Sequence, residues 1–325
     1  MQLTARIERW PVAGAFTISR GAKTHVDVVV AQILQGDHVG RGEGTAIYYH
    51  GESAESVLAQ MLGLADAIEG GLTRQELQTR LPRGAARNAL DCAFWDLEAK
   101  KKGLAVWELA GLPKPAPQVT AFTISLADPA RMEADARAAA HLPLLKLKLA
   151  GEGDEARVAA VRRGAPDARL IVDANEAWTG RDVAAEAAVL ARHGVELIEQ
   201  PVKAGQDNLL DGVDSPIPFA ADESCQDRAD LARCVGRYHA INIKLDKAGG
   251  LTEALALAAE ARALGLDLMV GCMLATSLGI APAFLIGGAA RWVDLDGALL
   301  LAEDRPAAMR AENGLLEPPA PELWG

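Results

Sequence analysis

Short apolar segments recur through the second half of the chain, and each ends near a charged residue. The segments are LLKLKL, RLIVDAN, VELIEQP, IPFAADES and AINIKLDK, and the charged residues at their C-terminal ends are Lys148, Asp173, Glu199, Asp222 and Lys244. Successive positions are 25, 26, 23 and 22 residues apart, which is about the length of a repeated strand, helix and connecting loops. In a (β/α) barrel the C-terminal ends of the strands meet on one face, where catalytic groups lie. The pattern therefore predicts a barrel that brings five charged side chains together.

The pattern extends in both directions and indicates two domains. VTAFTISL is predicted as the first barrel strand, and LDLMVGCM and RWVDLDG as the seventh and eighth, so that residues 113–301 form the barrel. Before it, TARIERW, HVDVVVAQI and GRGEGTAI predict a strand meander, and a helical block follows from about Glu52 to Gly103. Residues 1–112 are expected to form an α+β capping domain, to which the tail 302–325 returns.

The most regular helical segment of the first domain is AARNALDCAFWDLEAKKKG. Its apolar residues Leu90, Phe94 and Leu97 share one face, and its basic last turn ends at Gly103. The segment is therefore predicted as a helix with one apolar face.

Composition excludes several classes of function. The chain has 325 residues, 50% of them hydrophobic, and a formal net charge of −11. Negative charge without a basic patch argues against nucleic acid or an anionic membrane as a partner. No apolar run is long enough to span a bilayer, the first residues show no signal sequence, and the four cysteines have no metal-binding spacing. A cytoplasmic protein with reduced thiols is expected.

The residue types at the strand ends limit the chemistry. Three carboxylates without a histidine make an oxygen site, which suits Mg²⁺ or Mn²⁺ better than Zn²⁺. A lysine on each side of a metal can act as a base when the nearby cation and partial burial lower its pKa from about 10.4. The metal would also hold a substrate carboxylate and stabilise the charge that develops when the adjacent carbon loses a proton. The pattern favours proton abstraction next to a carboxylate.

Each acidic residue also has a purely structural interpretation. Asp173 and Asp222 each precede residues that could open a helix, so either could be a helix N-cap. Caps do not explain why acids recur on three successive predicted strands with lysines on the strands before and after. In addition, Lys146 and Lys148 point to the same side of an apolar strand, where an unpaired lysine is costly. For the set as a whole, the functional interpretation is favoured.

These motifs resemble those of the enolase superfamily, and within it the muconate-lactonising-enzyme subgroup. The matching residues are Lys146-Leu147-Lys148, Asp173, Glu199, Asp222 and Asn242-Ile243-Lys244, in order on five predicted strands. The resemblance covers essentially the whole chain and implies a modified (β/α)8 barrel, of the (β/α)7β type, with an α+β capping domain. It implies that the three acidic residues bind Mg²⁺ and that Lys148 and Lys244 are the acid/base pair on opposite faces of the substrate. Lys146 would be a supporting cation near the substrate carboxylate.

The predicted eighth strand carries two further carboxylates. Asp294 and Asp296 alternate to one face and have no lysine beside them in the sequence, so they are expected to need a cationic ligand such as an ammonium group. This Asp-x-Asp resembles the signature of the dipeptide epimerases, where it binds the α-ammonium of the substrate. A turn cap before Gly297 is the structural alternative, and it accounts for Asp296 better than for Asp294.

Two loops of the first domain resemble the specificity loops that cover the barrel mouth in this family. They contain Ser19-Arg20-Gly21-Ala22-Lys23-Thr24 and Tyr48-Tyr49-His50-Gly51. Arg20 and Lys23 are either ordinary solvated charges in a turn or cations for a second substrate carboxylate. Where L-Ala-D/L-Glu epimerases commonly have an arginine, this chain has Lys23, a point charge that does not grip a carboxylate bidentately. The resemblance also assigns Thr123 and Met273 to substrate contact.

The sequence therefore predicts a Mg²⁺-dependent dipeptide epimerase, and a homo-oligomer. The chain is similar to the L-Ala-D/L-Glu epimerases of murein peptide metabolism, including residues 84–91 (GAARNALD) and 271–274 (GCML). The alternative within the fold is an N-acylamino-acid racemase, or a β-eliminating or lactonising enzyme with the same metal and lysines, which Asp294 and Asp296 disfavour. A metal-binding barrel without activity is the non-enzymatic alternative, which the complete set of lysines and acids disfavours.

Overall fold

The first strands of the chain form a small antiparallel sheet. The computed structural model describes residues 1–18 and 21–325. The strands of this sheet, with the second in the centre, are β1 (Gln2–Ile18), β2 (Gly21–Gln35) and β3 (His38–Gly44). β1 and β2 pair along their length, with one register shift between Pro11 and Phe16. The predicted strand meander is confirmed.

A helical block packs on this sheet. Its helices are α1 (Ala54–Leu62), α2 (Ala65–Glu69), α3 (Arg74–Arg80), α4 (Ala85–Lys102) and α5 (Val106–Leu109). The glycines of β3 let α4 lie directly against the strand: a Cβ on Gly42 would come 2.0 Å from the carbonyl oxygen of Ala89, and a Cβ on Gly40 equally close to that of Ala93. The alternating glycines of GRGEG therefore fix the contact between α4 and the sheet.

Helix α4 is buried on two sides. Leu90, Phe94 and Leu97 pack in the core of the first domain, as their spacing predicts. Cys92 and Trp95, on another side of the helix, belong to the large core of the barrel. The prediction of one apolar face was therefore incomplete, because small and polar residues on the second side hide its burial in the sequence. Helix α4 is the main contact between the first domain and the barrel.

The barrel consists of parallel strands in sequence order. They are β5 (Phe122–Ile124), β6 (Leu144–Lys148), β7 (Arg169–Asp173), β8 (Val195–Glu199), β9 (Phe219–Ala221), β10 (Ala240–Ile243), β11 (Asp267–Gly271) and β12 (Trp292–Asp294). The backbone N–H of Ala121 donates to the carbonyl of Val293 at 2.8 Å and joins the first strand to the last. The predicted barrel is confirmed.

Helices follow most of the barrel strands. They are α6 (Pro129–Ala138), α7 (Asp154–Gly164), α8 (Val183–Ala191), α9 (Leu231–Cys234), α10 (Leu245–Ala248), α11 (Leu251–Ala263) and α12 (Ser277–Gly287). Only a 3₁₀ turn, Asp207–Leu210, follows β8. No helix follows β12 in residues 295–325, all of which the structure describes. The fold is a modified (β/α)8 barrel with an α+β capping domain.

A layer of apolar side chains fills the barrel interior below the charged residues. Each barrel strand or its first flanking residue contributes one member: Ala121, Leu144, Ile171, Leu197, Ala220, Ala240, Met269 and Trp292. Because side chains alternate along a strand, residues two positions further on face the same interior. Lys146, Asp173, Glu199, Asp222 and Asp294 all stand two positions after a member of this layer. The layer is therefore the floor of the site.

The tail after the barrel contacts earlier parts of the chain. Its short strands β13 (Ala311–Glu312) and β14 (Leu315–Leu316) pair with β4 (Gln118–Val119). Trp324 Nε1 donates to the carbonyl of Cys92 at 3.1 Å, on α4. We propose the division predicted above, with residues 302–325 joining 1–112. No helix within residues 1–18 and 21–325 has the length and apolarity to cross a membrane.

Candidate active site

The two predicted bases lie on the two sides of the carboxylate set. Lys148 Nζ donates to Asp173 Oδ2 at 2.6 Å, and Lys244 Nζ donates to Asp222 Oδ2 at 2.7 Å. Glu199, on the strand between those of the two aspartates, lies between these ion pairs in the order of strands. All five side chains are buried, the lysines being 8% and 7% exposed. The predicted residues are thus brought together, with one lysine at each end.

Lys146 stands at the centre of this arrangement. Its Nζ lies 2.6 Å from Asp294 Oδ2, 2.5 Å from Glu199 Oε2 and 3.7 Å from Asp173 Oδ2. Burial lowers the pKa of Lys146, but these three carboxylates outweigh burial and raise it well above its ordinary value. Lys146 is therefore a fixed positive charge in the middle of the site, as a supporting cation requires.

The sequence expectation for the eighth strand was wrong in one respect. Asp294 does have a lysine partner, Lys146, which reaches it across the barrel from β6. The two residues are 148 positions apart, so their contact depends on closure of the barrel and cannot be read from neighbouring residues. Within the described residues, Asp294 Oδ1 is nevertheless buried without a hydrogen-bond partner. One acceptor oxygen therefore remains for a cationic ligand.

Asp296 lies beside this acceptor and has a different environment. Its Oδ2 accepts a hydrogen bond from the backbone N–H of Thr123 at 2.7 Å. Burial, and then the charge of Asp294, raise the pKa of Asp296 to about 7. A cation placed between the two carboxylates would remove this mutual repulsion. The turn-cap interpretation does not explain the contact, because the donor is on β5 and not in the turn.

Lys247 is a site residue that the sequence analysis missed. Its Nζ is fully buried and donates to Asp222 Oδ1 at 2.7 Å and to the carbonyls of Asp222, Cys225 and Asn242 at 2.6, 2.9 and 2.9 Å. It lies three residues after Lys244, on α10, where a lysine normally suggests an exposed helix face. The only sequence feature that indicates burial of Lys247 is the run of apolar residues within AINIKLDKAGG. Lys247 holds one oxygen of Asp222 while Lys244 holds the other.

Asn242 also has a contact that its motif did not predict. Its Nδ2 donates to Glu199 Oε1 at 2.7 Å. Burial, and then the charge of Asp173, raise the pKa of Glu199. In contrast, Lys244 and Lys247 outweigh burial and hold the pKa of Asp222 far below its usual range. Asn242 thus orients Glu199, whose negative charge is less well compensated by nearby lysines than that of Asp222.

The donor set fits a hard divalent cation. Asp173, Glu199 and Asp222 offer only carboxylate oxygens from three adjacent strands, and Glu199 Oε2 is buried without a hydrogen bond although Lys146 Nζ is close. Among the residues that the structure describes, no three acidic, histidine or cysteine side chains already form a metal-binding group. The oxygen chemistry fits Mg²⁺.

A cavity of about 350 Å³ opens above these residues. From the barrel, the cavity is lined by Thr123, Met273, three of the lysines and three of the aspartates, namely Lys146, Lys148, Lys244, Asp222, Asp294 and Asp296. From the capping domain, it is lined by Lys23, Tyr48 and Tyr49. The rings of the two tyrosines meet edge to face, with their centroids 5.0 Å apart. The two predicted cover loops therefore both reach the cavity. Arg20 lies outside the described residues.

The two parts of the chain match two halves of one known family. Residues 1–111 match the mandelate racemase / muconate lactonizing enzyme N-terminal domain, and residues 130–321 match the enolase C-terminal domain-like family. The chain belongs to the mandelate racemase / muconate lactonizing enzyme family of the enolase superfamily. Family membership agrees with the resemblance drawn from the strand-end motifs.

Within this family, two curated relatives differ in their stated substrates. The L-Ala-D/L-Glu epimerase of Escherichia coli (strain K12) is 45% identical over 95% of this chain and 97% of its own length. The N-acetyl-D-glutamate racemase of Pseudoalteromonas sp. is 41% identical over 92% of this chain and 95% of its own. Both stated substrates include glutamate, but only the first is a dipeptide.

Solved family members are similar in structure as well. An enolase family member from Agrobacterium tumefaciens with homology to dipeptide epimerases, solved with sodium and L-Ala-L-Glu, is 51% identical, with a TM-score of 0.97 over 99% of each chain. The dipeptide epimerase from Enterococcus faecalis V583, complexed with Mg and L-Leu-L-Tyr, is 31% identical, with a TM-score of 0.90 over 98% of this chain and 96% of its own. Both of these family members hold a dipeptide.

Proposed function

We propose that this protein is a Mg²⁺-dependent dipeptide epimerase that interconverts L-Ala-L-Glu and L-Ala-D-Glu. The observation that carries the proposal is the placement of Lys148 and Lys244 at opposite ends of one carboxylate set, each with its ammonium within 2.7 Å of a carboxylate. Inverting a carbon centre requires a proton acceptor on one face and a proton donor on the other. The dipeptide-binding relatives support the same assignment.

Asp173, Glu199 and Asp222 would hold the metal. A bound Mg²⁺ would supply positive charge that stabilises the charge developing on the substrate carboxylate and would relieve the three carboxylates of their lysine partners. Lys247 keeps Asp222 in place from below, and Asn242 does the same for Glu199. The orientation of Asp222 and Glu199 therefore does not depend on the two bases alone.

The lysines would exchange the α-proton of the C-terminal residue. In one direction Lys148 accepts the proton while Lys244 donates one to the opposite face, and in the other direction the roles are exchanged. Burial lowers the pKa of Lys244, but the carboxylates of Asp222 and Glu199 outweigh it and raise that pKa above its ordinary value. Separation of Lys244 from Asp222 would lower this pKa and favour its action as a base.

The direct test of the function is turnover of L-Ala-L-Glu with Mg²⁺ in ²H₂O. Mass spectrometry should detect one deuterium at the α-carbon of glutamate, and chiral chromatography should detect L-Ala-D-Glu. A library of dipeptides measured in parallel would rank the C-terminal residues. Absence of deuterium uptake across the whole library would reject the dipeptide epimerase assignment.

Recognition of the free N-terminus is expected to depend on Asp296. The variant Asp296→Asn keeps an oxygen that accepts from the Thr123 N–H, but it lacks the charge that would bind an ammonium group. We expect its kcat/KM for L-Ala-L-Glu to fall by about 10²-fold, because remote binding energy helps to orient the reacting carbon. Steady-state kinetics of the free and N-acetylated dipeptide measure the effect.

The N-acetylated dipeptide is the control for this prediction. It has no ammonium group, so Asp296→Asn should change its turnover much less. Wild-type turnover of the acetylated compound at the rate of the free dipeptide would contradict an ammonium site at Asp294 and Asp296.

Selectivity for an acidic C-terminal residue is expected to depend on Lys23, which lines the cavity from the capping domain. Replacing Lys23 by glutamate places like charges together, and we expect kcat/KM for L-Ala-L-Glu to fall at least about tenfold more than for L-Ala-L-Leu. Lys23→Arg should retain the preference, since a guanidinium grips a carboxylate with two hydrogen bonds. An unmutated enzyme that prefers L-Ala-L-Leu would contradict the assignment.

A second candidate is racemisation of N-acylated glutamate. Two observations favour it: the 41% identity to the N-acetyl-D-glutamate racemase, and the pairing of Asp294 with Lys146, which leaves less negative charge for an ammonium group. N-acetylglutamate, assayed beside L-Ala-L-Glu, separates the two functions by their relative kcat/KM. Murein peptide metabolism, a cytoplasmic location and a homo-oligomeric state belong to the first proposal.

A further inference from the structure

The catalytic end of β10 is attached to a very short helix. Lys244 is the N-cap residue of α10, which has only four residues. The backbone N–H groups of Lys247 and Ala248 both donate to the carbonyl of Lys244 at 3.0 Å. The direction of α10 therefore sets the backbone position of Lys244.

One side chain of α10 binds the capping domain. Asp246 is buried, and its Oδ1 accepts hydrogen bonds from the backbone N–H of Thr45 at 3.0 Å and from Asn88 Nδ2 at 2.7 Å. Thr45 follows β3 and lines the substrate cavity, and Asn88 is on α4. A single oxygen thus links the helix of one base to two elements of the capping domain.

The other end of α10 is held by the preceding residue of α4. Arg87 donates from Nη2 to the carbonyl of Ala248 at 2.6 Å and from Nε to that of Gly249 at 3.1 Å. Gly249 has φ +83°, and a Cβ there would lie 2.4 Å from Arg87 Nε. Residues 84–91, which resemble a segment of the L-Ala-D/L-Glu epimerases, therefore bind α10 at both ends.

Lys148 is attached in a different way. The segment after it is held by Asp154, which accepts from the backbone N–H groups of Ala150 and Gly151 at 3.0 and 2.9 Å and from Trp178 Nε1 at 2.9 Å. All of these partners lie in the barrel. The two bases are consequently anchored to different parts of the fold.

We propose that Asp246 is a positioning residue that fixes Lys244, but not Lys148, to the capping domain. The proposal rests on the proposed epimerase function and adds a distinction between its two bases. Because Thr45 borders the cavity, Asp246 connects Lys244 to the part of the capping domain that lines the cavity. Loss of Asp246 should therefore impair proton transfer on the face served by Lys244.

The test measures α-proton loss separately for L-Ala-L-Glu and L-Ala-D-Glu, as initial rates in ²H₂O. Lys148→Ala and Lys244→Ala first identify which isomer each lysine deprotonates. Asp246→Ala should then slow the Lys244 isomer by on the order of 100-fold, since a small misplacement of a base has a large effect, and should leave the other isomer within about threefold. Asp246→Asn, which keeps an Oδ1 acceptor, should restore most of the rate.

A matched variant reverses the expected bias. Asp154→Ala removes the anchor of the segment after Lys148 and should slow the other isomer more. If Asp246→Ala does not fold, Asn88→Ala serves in its place, because it removes one of the two hydrogen bonds to Asp246. It should slow the same isomer, by a smaller factor. Equal slowing of both isomers by Asp246→Ala, with no recovery in Asp246→Asn, would show a general structural role and overturn the proposal.

A second measurement does not depend on turnover. Limited acetylation with acetic anhydride, followed by peptide mass spectrometry, compares the reactivity of Lys244 and Lys148 in the protein without substrate. Asp246→Ala should change the labelling ratio through Lys244 alone. If the wild-type protein exchanges neither isomer, the proposed epimerase function is rejected. The ratio of Lys244 to Lys148 acetylation still tests the positioning role of Asp246, and an unchanged ratio in Asp246→Ala would reject that role.

Discussion

Replacing either Lys148 or Lys244 by alanine is expected to abolish epimerisation, with a fall in kcat of at least about 10⁴-fold. Each of these two lysines lines the cavity, and each donates to a different aspartate. With one lysine missing, the planar intermediate can be protonated on one face only. Chiral chromatography of L-Ala-L-Glu and L-Ala-D-Glu after incubation measures the loss.

Isomer-specific exchange provides the control for this result. The remaining lysine should still exchange the α-proton of one isomer in ²H₂O, so each variant should label a single isomer, and the two variants should label different ones. Lys101→Ala is a matched substitution at an exposed lysine, whose Nζ bonds Gln35 Oε1, and it should leave both rates unchanged. Racemisation by Lys244→Ala at the wild-type rate would contradict the two-base mechanism.

The positions of the proposed catalytic side chains could be predicted because they follow from strand geometry. The strand pairing places Lys148 opposite Asp173, and Asp173 opposite Glu199. The alternation of side chains then turns every second residue inward above the apolar floor. Spacing along the chain was therefore sufficient to place the acids and lysines on one face.

The partners of these side chains could not be predicted in the same way. Lys146 pairs with Asp294 only because the first and last strands of the barrel meet, and the sequence contains no local sign of that contact. Lys247 lies on a helix, yet its ammonium group is buried and donates to Asp222, a contact that its position in the sequence does not indicate. Charge compensation in this site depends on tertiary contacts.

The same limit applies to helix α4. Its first apolar face follows from a 3.6-residue period, but its second buried side is built from small residues and hydrogen-bonded polar groups. Asn88 is polar and nevertheless buried, because Asp246 of the barrel accepts its hydrogen bond. A sequence pattern treats such a residue as exposed.

Replacing Asp222 by asparagine is expected to remove most of the Mg²⁺ affinity and most of the turnover. The substitution keeps the shape of the side chain and removes the charge that would bind the metal. Isothermal titration calorimetry with Mg²⁺ measures the affinity, and deuterium uptake by L-Ala-L-Glu measures the activity. Exhaustive chelation of the wild-type enzyme should have the same effect on activity, and added Mg²⁺ should restore it.

Stability has to be separated from metal binding in this experiment, because Asp222 also pairs with Lys244 and Lys247. Removing one partner of a buried ion pair costs about 3–5 kcal/mol, so Asp222→Asn should lower the Tm without metal. The informative quantity is the further rise in Tm on adding Mg²⁺, since a ligand stabilises only a protein that binds it. Wild type and the exposed control Asp211→Asn should show that rise, whereas Asp222→Asn should not. Full activity after chelation, or an equal rise in Tm for Asp222→Asn, would contradict the metal site.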